Sequence, residues 1–373
     1  MPSLRLAHLT TVDMSLELLL GTELAVDVEA GHEVFGISAP GPYVPKVEAR
    51  SVTHVPLPTL TRSWNPSSDV TAAKTLGAVL RDLHLDVLHT HNPKTGVIGR
   101  IVGRLLGVPV VVNTCHGLWM RPEDRAAKRG AVIAIEGLAA RFSDAELYQN
   151  ASDCHALRHW VPRRKTRVVG NGIDLTRFTR DDAARGRVRN ELGVGPDEVL
   201  VGGVGRRVAE KGIREFTYAA RALSGRAAFI WVGPTDDDKP DALSREDGVQ
   251  FLGLRHNMPA IYSALDVFVL PSHREGFSRS AMEAAASGCA MVLTDIRGCR
   301  EIGQHEQHLL LVPPRNPAAL TAAITRMLAD AELRSRLAKA AEHRAQTTFD
   351  QRAIAEMSLQ TYRAVGRRKG MDW

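Results

Sequence analysis

Short, continuous runs of apolar and β-branched residues alternate with helix-period segments along the whole chain, in two successive series. This alternation constrains the fold more than any other feature. Repeated βαβ units close as parallel sheets covered by helices, whereas a sandwich would need hairpin turns and a bundle would lack the strand-length runs. The first series reads RLAHLT, HEVFGIS, SVTHVPL, DVLHTH and VPVVVNT, with helical segments around Ser15 to Ala30, Asp69 to Leu83 and Thr95 to Leu106. The second reads VLVGGVG, AAFIWVG, VQFLGL, DVFVLPS, AMVLTDI and HLLLVP, separated by helical stretches such as Ile213 to Leu223 and Ser278 to Ala286. Strands that are apolar at nearly every position are buried on both faces. The fold class is therefore α/β, with two Rossmann-like domains, each built on a parallel sheet, and a helical C-terminus.

At 373 residues the chain has material for two cores. Asn171-Gly172-Ile173-Asp174 is a turn signal, and the polar stretch after it (Asp181, Asp182, Arg185, Arg187) marks the linker. The expected domains are residues 1–175 and 176–373. Past Pro313-Pro314 the pattern is helical almost to the end, and Gln351 to Arg368 carries apolar residues at Ile354, Met357, Leu359 and Tyr362. That stripe can pack on either domain, so residues 350–373 are free to return to the first.

Composition is that of a soluble globular protein, 44% hydrophobic and 24% charged. The N-terminal apolar run is interrupted by His8, Thr10, Thr11 and Asp13, unlike a signal peptide, and no run reaches the length of a membrane span. The four cysteines (Cys115, Cys154, Cys289, Cys299) are far apart and read as reduced thiols of a cytoplasmic protein. A net charge of +6 suits a nucleic acid, an anionic membrane face or a phosphorylated small molecule. With 5% aromatic residues and no nucleic-acid module, the first is excluded. The densest basic stretches, Arg158 to Arg167 and Arg363 to Lys369, are either solvated surface or a peripheral contact with the inner membrane surface.

Chemistry concentrates in two strand-loop-helix segments. In PSHREGFSRSAMEAAASG a strand runs into a tight loop and then a helix starting near Ser278. Ligands gather at the carboxyl ends of strands in such sheets, and a helix N-terminus suits a diphosphate, here through the amides of Gly276, Phe277 and Ser278. Glu275 before the helix and Glu283 within it could meet a sugar and a ribose, or could be a helix-start carboxylate and a surface residue. In GGVGRRVAEKGIREF, Gly205-Arg206 and Lys211 can converge on one anion and neutralise a leaving diphosphate without magnesium. Val208 occupies the third position of what would otherwise approach a dinucleotide fingerprint, which disfavours a nicotinamide enzyme. The run Asp236, Asp237, Asp238 reads as a solvated turn rather than a metal site.

Together these motifs resemble those of the retaining glycosyltransferases of family 4, with the GT-B fold, over nearly the whole chain. The family's glycine-arginine-to-lysine loop is matched by Gly205, Arg206 and Lys211, and its Glu, seven residues, Glu element by Glu275 and Glu283. EGFSRSAMEAAASG with TDIRGCREI further resembles bacterial members that build polysaccharides or decorate secondary metabolites. The resemblance implies two domains facing across a cleft and transfer of a hexose-type sugar from a UDP- or GDP-sugar to a hydroxyl acceptor. That acceptor would be a lipid-linked sugar, a polysaccharide precursor or a secondary metabolite. The resemblance also implies retention of configuration by a front-face route without metal or other cofactor. It implies catalytic roles for His116, Glu275, Arg206 and Lys211, and a nucleotide-sugar set of Gly205, Arg206, Lys211, Leu254, Glu275, Gly276, Phe277, Ser278 and Glu283. His116, in VVVNTCHGLW, takes the place of a histidine facing the sugar; on the residues alone a histidine at a strand end is more often structural. His89 and His91 end another strand, and His91, Asn92 and Lys94 are candidates for the acceptor side. Many members carry a Gly-Gly pair where this chain has Thr10-Thr11-Val12-Asp13-Met14. Thr11 and Asp13 then either bond an acceptor hydroxyl or, for Asp13, cap the following helix. The alternative reading is a nucleotide-sugar epimerase of related two-domain shape.

Overall fold

A computed structural model describes residues 2–61, 63–120, 124–235 and 248–373; the acidic run Asp236 to Asp238 lies outside them. The chain divides into unit 1, residues 1–170 with 351–373, and unit 2, residues 171–350.

Unit 1 contains β1 (Arg5–Val12), α1 (Asp13–Leu18), α2 (Gly21–Glu29), β2 (Glu33–Ala39), α3 (Val44–Glu48), β3 (Thr53–Pro56), α4 (Pro66–Leu83) and β4 (Val87–His91). It continues with α5 (Pro93–Leu105), β5 (Val110–Cys115), α6 (Ala126–Ala139), β6 (Ala145–Tyr148), α7 (Ala151–Ala156) and β7 (Thr166–Val168). Its strands form one parallel sheet in the order β3-β2-β1-β4-β5-β6-β7. The five strands expected from sequence are joined by β6 and β7, of four and three residues, too short to show a period. Pleating sends Leu6, Val87 and Val110 into one core layer and Ala7, Leu88 and Val111 into the other, so both sheet faces are buried. The helix expected over Ser15 to Ala30 is two helices. Leu19 and Leu20 both donate to the Ser15 carbonyl, at 3.1 Å each, which ends α1 and turns the chain into α2.

Unit 2 contains α8 (Asp182–Leu192), β8 (Leu200–Val204), α9 (Ile213–Ala222), β9 (Ala228–Val232), β10 (Gln250–Phe251), α10 (Met258–Ala264) and β11 (Val267–Leu270). Then follow α11 (Arg279–Ala286), β12 (Ala290–Thr294), α12 (Arg297–Arg300), β13 (Leu310–Val312), α13 (Pro317–Ala329) and α14 (Ala331–Thr348). All six expected strands form a parallel sheet in the order β10-β9-β8-β11-β12-β13. The polar stretch read as linker is instead the start of α8, where Asp181 accepts from the Ala184 amide at 2.9 Å as N-cap. Arg185, with Arg189 one turn further on, grips Asp266 at 2.7 and 3.0 Å, while Asp181, Asp182 and Arg187 are exposed. Ile173 is fully buried in this unit and donates to the Phe349 carbonyl at 2.9 Å.

The last helix, α15 (Gln351–Arg368), belongs to unit 1. It lies along α2, and Leu359, Tyr362 and Val365 enter the core layer of Leu6, Leu24 and Val87.

Candidate active site

In unit 2 the loops after β8 and β11 are held together by backbone. Gly212, the residue before α9, has φ +71°, and a Cβ there would stand 2.1 Å from the Pro271 carbonyl, so no side chain fits. The His273 amide donates to the Glu210 carbonyl at 2.9 Å, and the His273 ring meets Glu215 at 2.7 Å. This clamp brings Lys211 onto Glu275, with Nζ to Oε1 at 2.7 Å. His273 and Glu215 escaped the sequence reading, since nothing in their spacing marks a contact between separate loops. Arg206 is exposed just after Gly205, and Leu254 is 66% exposed after β10.

Ser278 is the N-cap of α11, its Oγ accepting from the Ala281 amide at 3.3 Å. The hydroxyl is thus committed to the helix. The amides of Gly276 and Phe277 make no hydrogen bond among the described residues, and they stand at the positive end of the helix dipole. Phe277 packs edge-on against Phe349 at 5.8 Å. Glu283 lies further along α11 and accepts from the Tyr262 hydroxyl at 2.9 Å. Burial pushes its carboxyl above the ordinary range, while Tyr262, Arg279 and Arg177 pull the other way. Tyr262 is a further residue that periodicity concealed, because a buried tyrosine on α10 reads as core.

In unit 1 several acceptor-side expectations are corrected. His91 is fully buried and spends both ring nitrogens on histidines, Nδ1 toward His116 and Nε2 toward His8, at 3.0 Å each. Lys94 is 2% exposed; it donates to Thr61 Oγ1 at 3.0 Å and the Ser63 carbonyl at 2.7 Å and pairs with Asp69. Its charge is satisfied within the fold. Asn92 uses its carbonyl oxygen on the Thr11 amide at 3.1 Å, tying the end of β1 to the turn after β4. Asp13 is not a cap, since Val12 holds that position; its carboxylate accepts from Met14 and Tyr43 amides at 2.8 and 2.7 Å. The Asp13 carboxylate thus pins the loop after β2.

His116 follows β5, and burial pushes its pKa down to about 4, with the Gln149 side chain opposing. Its Nδ1 is shielded from water and has no hydrogen-bond partner. Behind it stands a polar cluster within the core: His8, Glu23, His89 and His91 offer ligand atoms within 4.8 Å of one another. These donor types suit a metal, a possibility the sequence reading did not raise. Every ring nitrogen of the three histidines is nonetheless hydrogen-bonded: His8 to His91 and Asp27, His89 to Tyr362 and Thr114, His91 to His8 and His116. A second buried network, Arg100 between Glu136 and Glu146, was equally hidden in the sequence.

Comparison with known proteins decides the family. The model of Glycosyltransferase Family 4 matches residues 26–177, and that of Glycosyl transferases group 1 matches residues 198–330. The N,N'-diacetylbacillosaminyl-diphospho-undecaprenol alpha-1,3-N-acetylgalactosaminyltransferase of Campylobacter jejuni is 28% identical over 300 residues, 77% of this chain and 79% of that protein. The chain belongs to the family 4 glycosyltransferases. A second relative of this glycosyltransferase is the UDP-Gal:alpha-D-GlcNAc-diphosphoundecaprenol alpha-1,3-galactosyltransferase of Escherichia coli, 29% identical over 65% of this chain and 66% of that one. Its fold is that of Anabaena HepE in complex with UDP, with a TM-score of 0.81 at 19% identity, covering 96% of this chain and 99% of HepE. Both parallel-sheet units are thus those of a GT-B enzyme.

Proposed function

We propose that this glycosyltransferase moves a hexose-type sugar from a UDP- or GDP-sugar to the hydroxyl of a lipid-linked sugar, with retention of configuration and without a metal ion. The observation that carries the reading is the Lys211–Glu275 pair, 2.7 Å apart, beside the unpartnered amides at the start of α11. A diphosphate entering there takes up Lys211 and the helix dipole, with Arg206 reaching it from the same loop, and releases Glu275 to the sugar hydroxyls. Glu283 receives the ribose, and Leu254 offers an apolar surface to the base. These groups stabilise leaving-group charge, and the departing phosphate takes the acceptor proton on the same face. His116 is a further proposed catalytic residue. HepE's complex with UDP supports the donor class, and the two undecaprenol-diphosphate relatives support the acceptor class.

Peripheral membrane contact is part of this proposal. The two basic stretches converge in unit 1 around an open cavity of about 530 Å³ lined by Arg164, Lys165, Arg167, Arg367 and Arg368. Trp160 (40% exposed) and Leu138 (49%) are apolar residues of the same unit suited to an interface. Among the described residues no helix is long and apolar enough to cross a membrane.

The deciding experiment assays transfer from UDP- and GDP-sugars to a short-chain undecaprenyl-diphosphate sugar in excess EDTA. Full turnover with a retained anomeric centre is expected. Loss of activity in EDTA that manganese or magnesium restores would overturn the metal-independent mechanism.

A further inference from the structure

We propose that His8, Glu23, His89 and His91 form a structural metal site in the core of unit 1 that takes one zinc ion. Its residues come from three elements, β1, α2 and β4. Each offers one ligand atom, and these atoms all lie within 4.8 Å of one another. Two of the edges are direct: His8 Nδ1 to His91 Nε2 at 3.0 Å and His89 Nδ1 to Glu23 Oε1 at 3.4 Å. A tetrahedral ion bound at about 2.0–2.1 Å needs edges of about 3.3 Å, so both pairs already have the spacing of zinc ligands. Three imidazoles and a carboxylate are the donors of zinc rather than of calcium or magnesium.

The far side of each ring is fixed by a separate group. His8 Nε2 lies 2.7 Å from Asp27 Oδ2, His89 Nε2 2.7 Å from Thr114 Oγ1, and His91 Nδ1 3.0 Å from His116 Nε2. Histidines that bind a metal donate their second N–H to such an acceptor, which sets the tautomer and aims the free lone pair at the ion. With all three rings donating outward, His8 Nδ1 and His91 Nε2 face each other as lone pairs, and a 3.0 Å contact between them needs a shared proton or a cation. Zinc takes the place of that proton: the nitrogens bind the ion, one proton leaves to solvent, and no bond other than N–H is broken.

Charge points the same way. Glu23 Oε1 and Asp27 Oδ1 are shielded from water and make no hydrogen bond, which is costly for carboxylate oxygens; coordination satisfies the first. The ion pairs described for these two residues are with His89 and His8, so neutral histidines leave two carboxylates together in the core, and a divalent ion balances both. Burial raises the Glu23 carboxyl above its ordinary pKa, and Asp27 and Glu23 raise His8 against the effect of its own burial, as crowded negative charge requires. The Tyr362 hydroxyl, 2.5 Å from His89 Nδ1, also has the Ser358 side chain beside it, and so yields that lone pair to the ion. In chelator-treated protein it holds the nitrogen instead, and that is the form in which Tyr362 variants are compared by unfolding. The ion ties β1 and β4 to α2 and takes no part in transfer. His8, His89 and His91 are fully buried, so it exchanges only when unit 1 opens, and turnover in EDTA reports on the donor site alone.

The test is elemental analysis and zinc-edge X-ray absorption on the full-length protein, expressed with added zinc and then desalted. Stoichiometric zinc should remain, with a nitrogen and oxygen shell at about 2.0–2.1 Å, the scattering of several imidazoles and no sulfur. The melting temperature should fall when excess EDTA replaces zinc, because the ion leaves as unit 1 unfolds. Glu23→Gln keeps the side-chain volume and should lose the zinc and its effect on melting. Thr114→Val touches no ligand atom and should weaken zinc by about 10- to 100-fold, which keeps the test open should Glu23→Gln fail to fold. Wild-type protein that holds no stoichiometric metal, a sulfur in the shell, or zinc retained equally by both variants would overturn the site. Manganese or iron in the same shell would overturn its assignment to zinc. None of these readouts uses transfer, so failure of the site leaves the proposed function intact.

Discussion

Glu283 sits in the body of unit 2 against Tyr262, where burial raises its pKa above the ordinary value. A carboxyl whose folded pKa is raised binds protons more tightly in the native state. Its ionisation therefore costs no stability below the unfolded pKa and the full amount once pH has risen past the folded pKa. Glu283→Gln keeps an acceptor for the Tyr262 hydroxyl and removes the buried charge. Its melting temperature should exceed that of the native protein at pH 7 and match it near pH 4. The same substitution should weaken a nucleoside diphosphate by roughly 10- to 100-fold, since a charge-assisted bond of about 1.5–3 kcal/mol is lost. Glu275→Gln, by contrast, should leave that affinity nearly intact and lower turnover of the complete nucleotide-sugar. Calorimetry with the diphosphate and turnover of the sugar donor separate the two; equal loss of affinity in both variants would require the donor to be placed elsewhere. The two carboxylates stand out as candidates because they fall at a fixed spacing within one strand-loop-helix segment. Tyr262 and His273, which hold that segment in shape, come from other segments and carry no local signal.

The destination of α15 is decided by a few side chains. Tyr362 is fully buried in unit 1, and its hydroxyl meets His89 Nδ1 at 2.5 Å. Tyr362→Phe should cost about 1–3 kcal/mol by leaving a buried ring nitrogen without a partner, and Tyr362→Ala about 3–5 kcal/mol through the cavity it opens. Denaturant unfolding followed through the tryptophans checks both, and a loss below 0.5 kcal/mol for either would detach the helix from the core of unit 1. Periodicity had marked Ile354, Met357, Leu359 and Tyr362 as one apolar face. A stripe records that a face is covered and not what covers it; both units offer helices and apolar layers. In the structure Leu359, Tyr362 and Val365 pack into the layer of Leu6, Leu24 and Val87, and the Tyr362 hydroxyl meets His89.

Across the whole molecule the charge of +6 is unevenly spread, and the basic residues of two distant stretches meet on unit 1. If that face docks on membrane, the protein should bind vesicles containing anionic lipid and leave them at high salt. Replacing Arg164, Arg367 and Arg368 by serine should lower vesicle affinity about 100-fold, at ~1 kcal/mol for each charge near the surface, with transfer to a soluble acceptor unchanged. Equal binding by the variant, or binding indifferent to salt, would leave those residues as solvated surface. Neither stretch predicts the other from sequence, since one ends the first series and the other ends the chain. The alternation of strand and helix, the parallel sheets, the strand-loop-helix segments and the family were all carried by the sequence itself, because local period, glycine placement and short-range spacing express them directly. Only the tertiary structure decided that Lys94 and His91 are satisfied within the fold, that Asp13 pins a loop, and that α15 closes unit 1. It alone joined His116 to Asp27 through two buried histidines. Each of those outcomes is a pairing between residues far apart in the chain, made where burial forces every polar atom to find a partner, and no property of either residue alone names that partner.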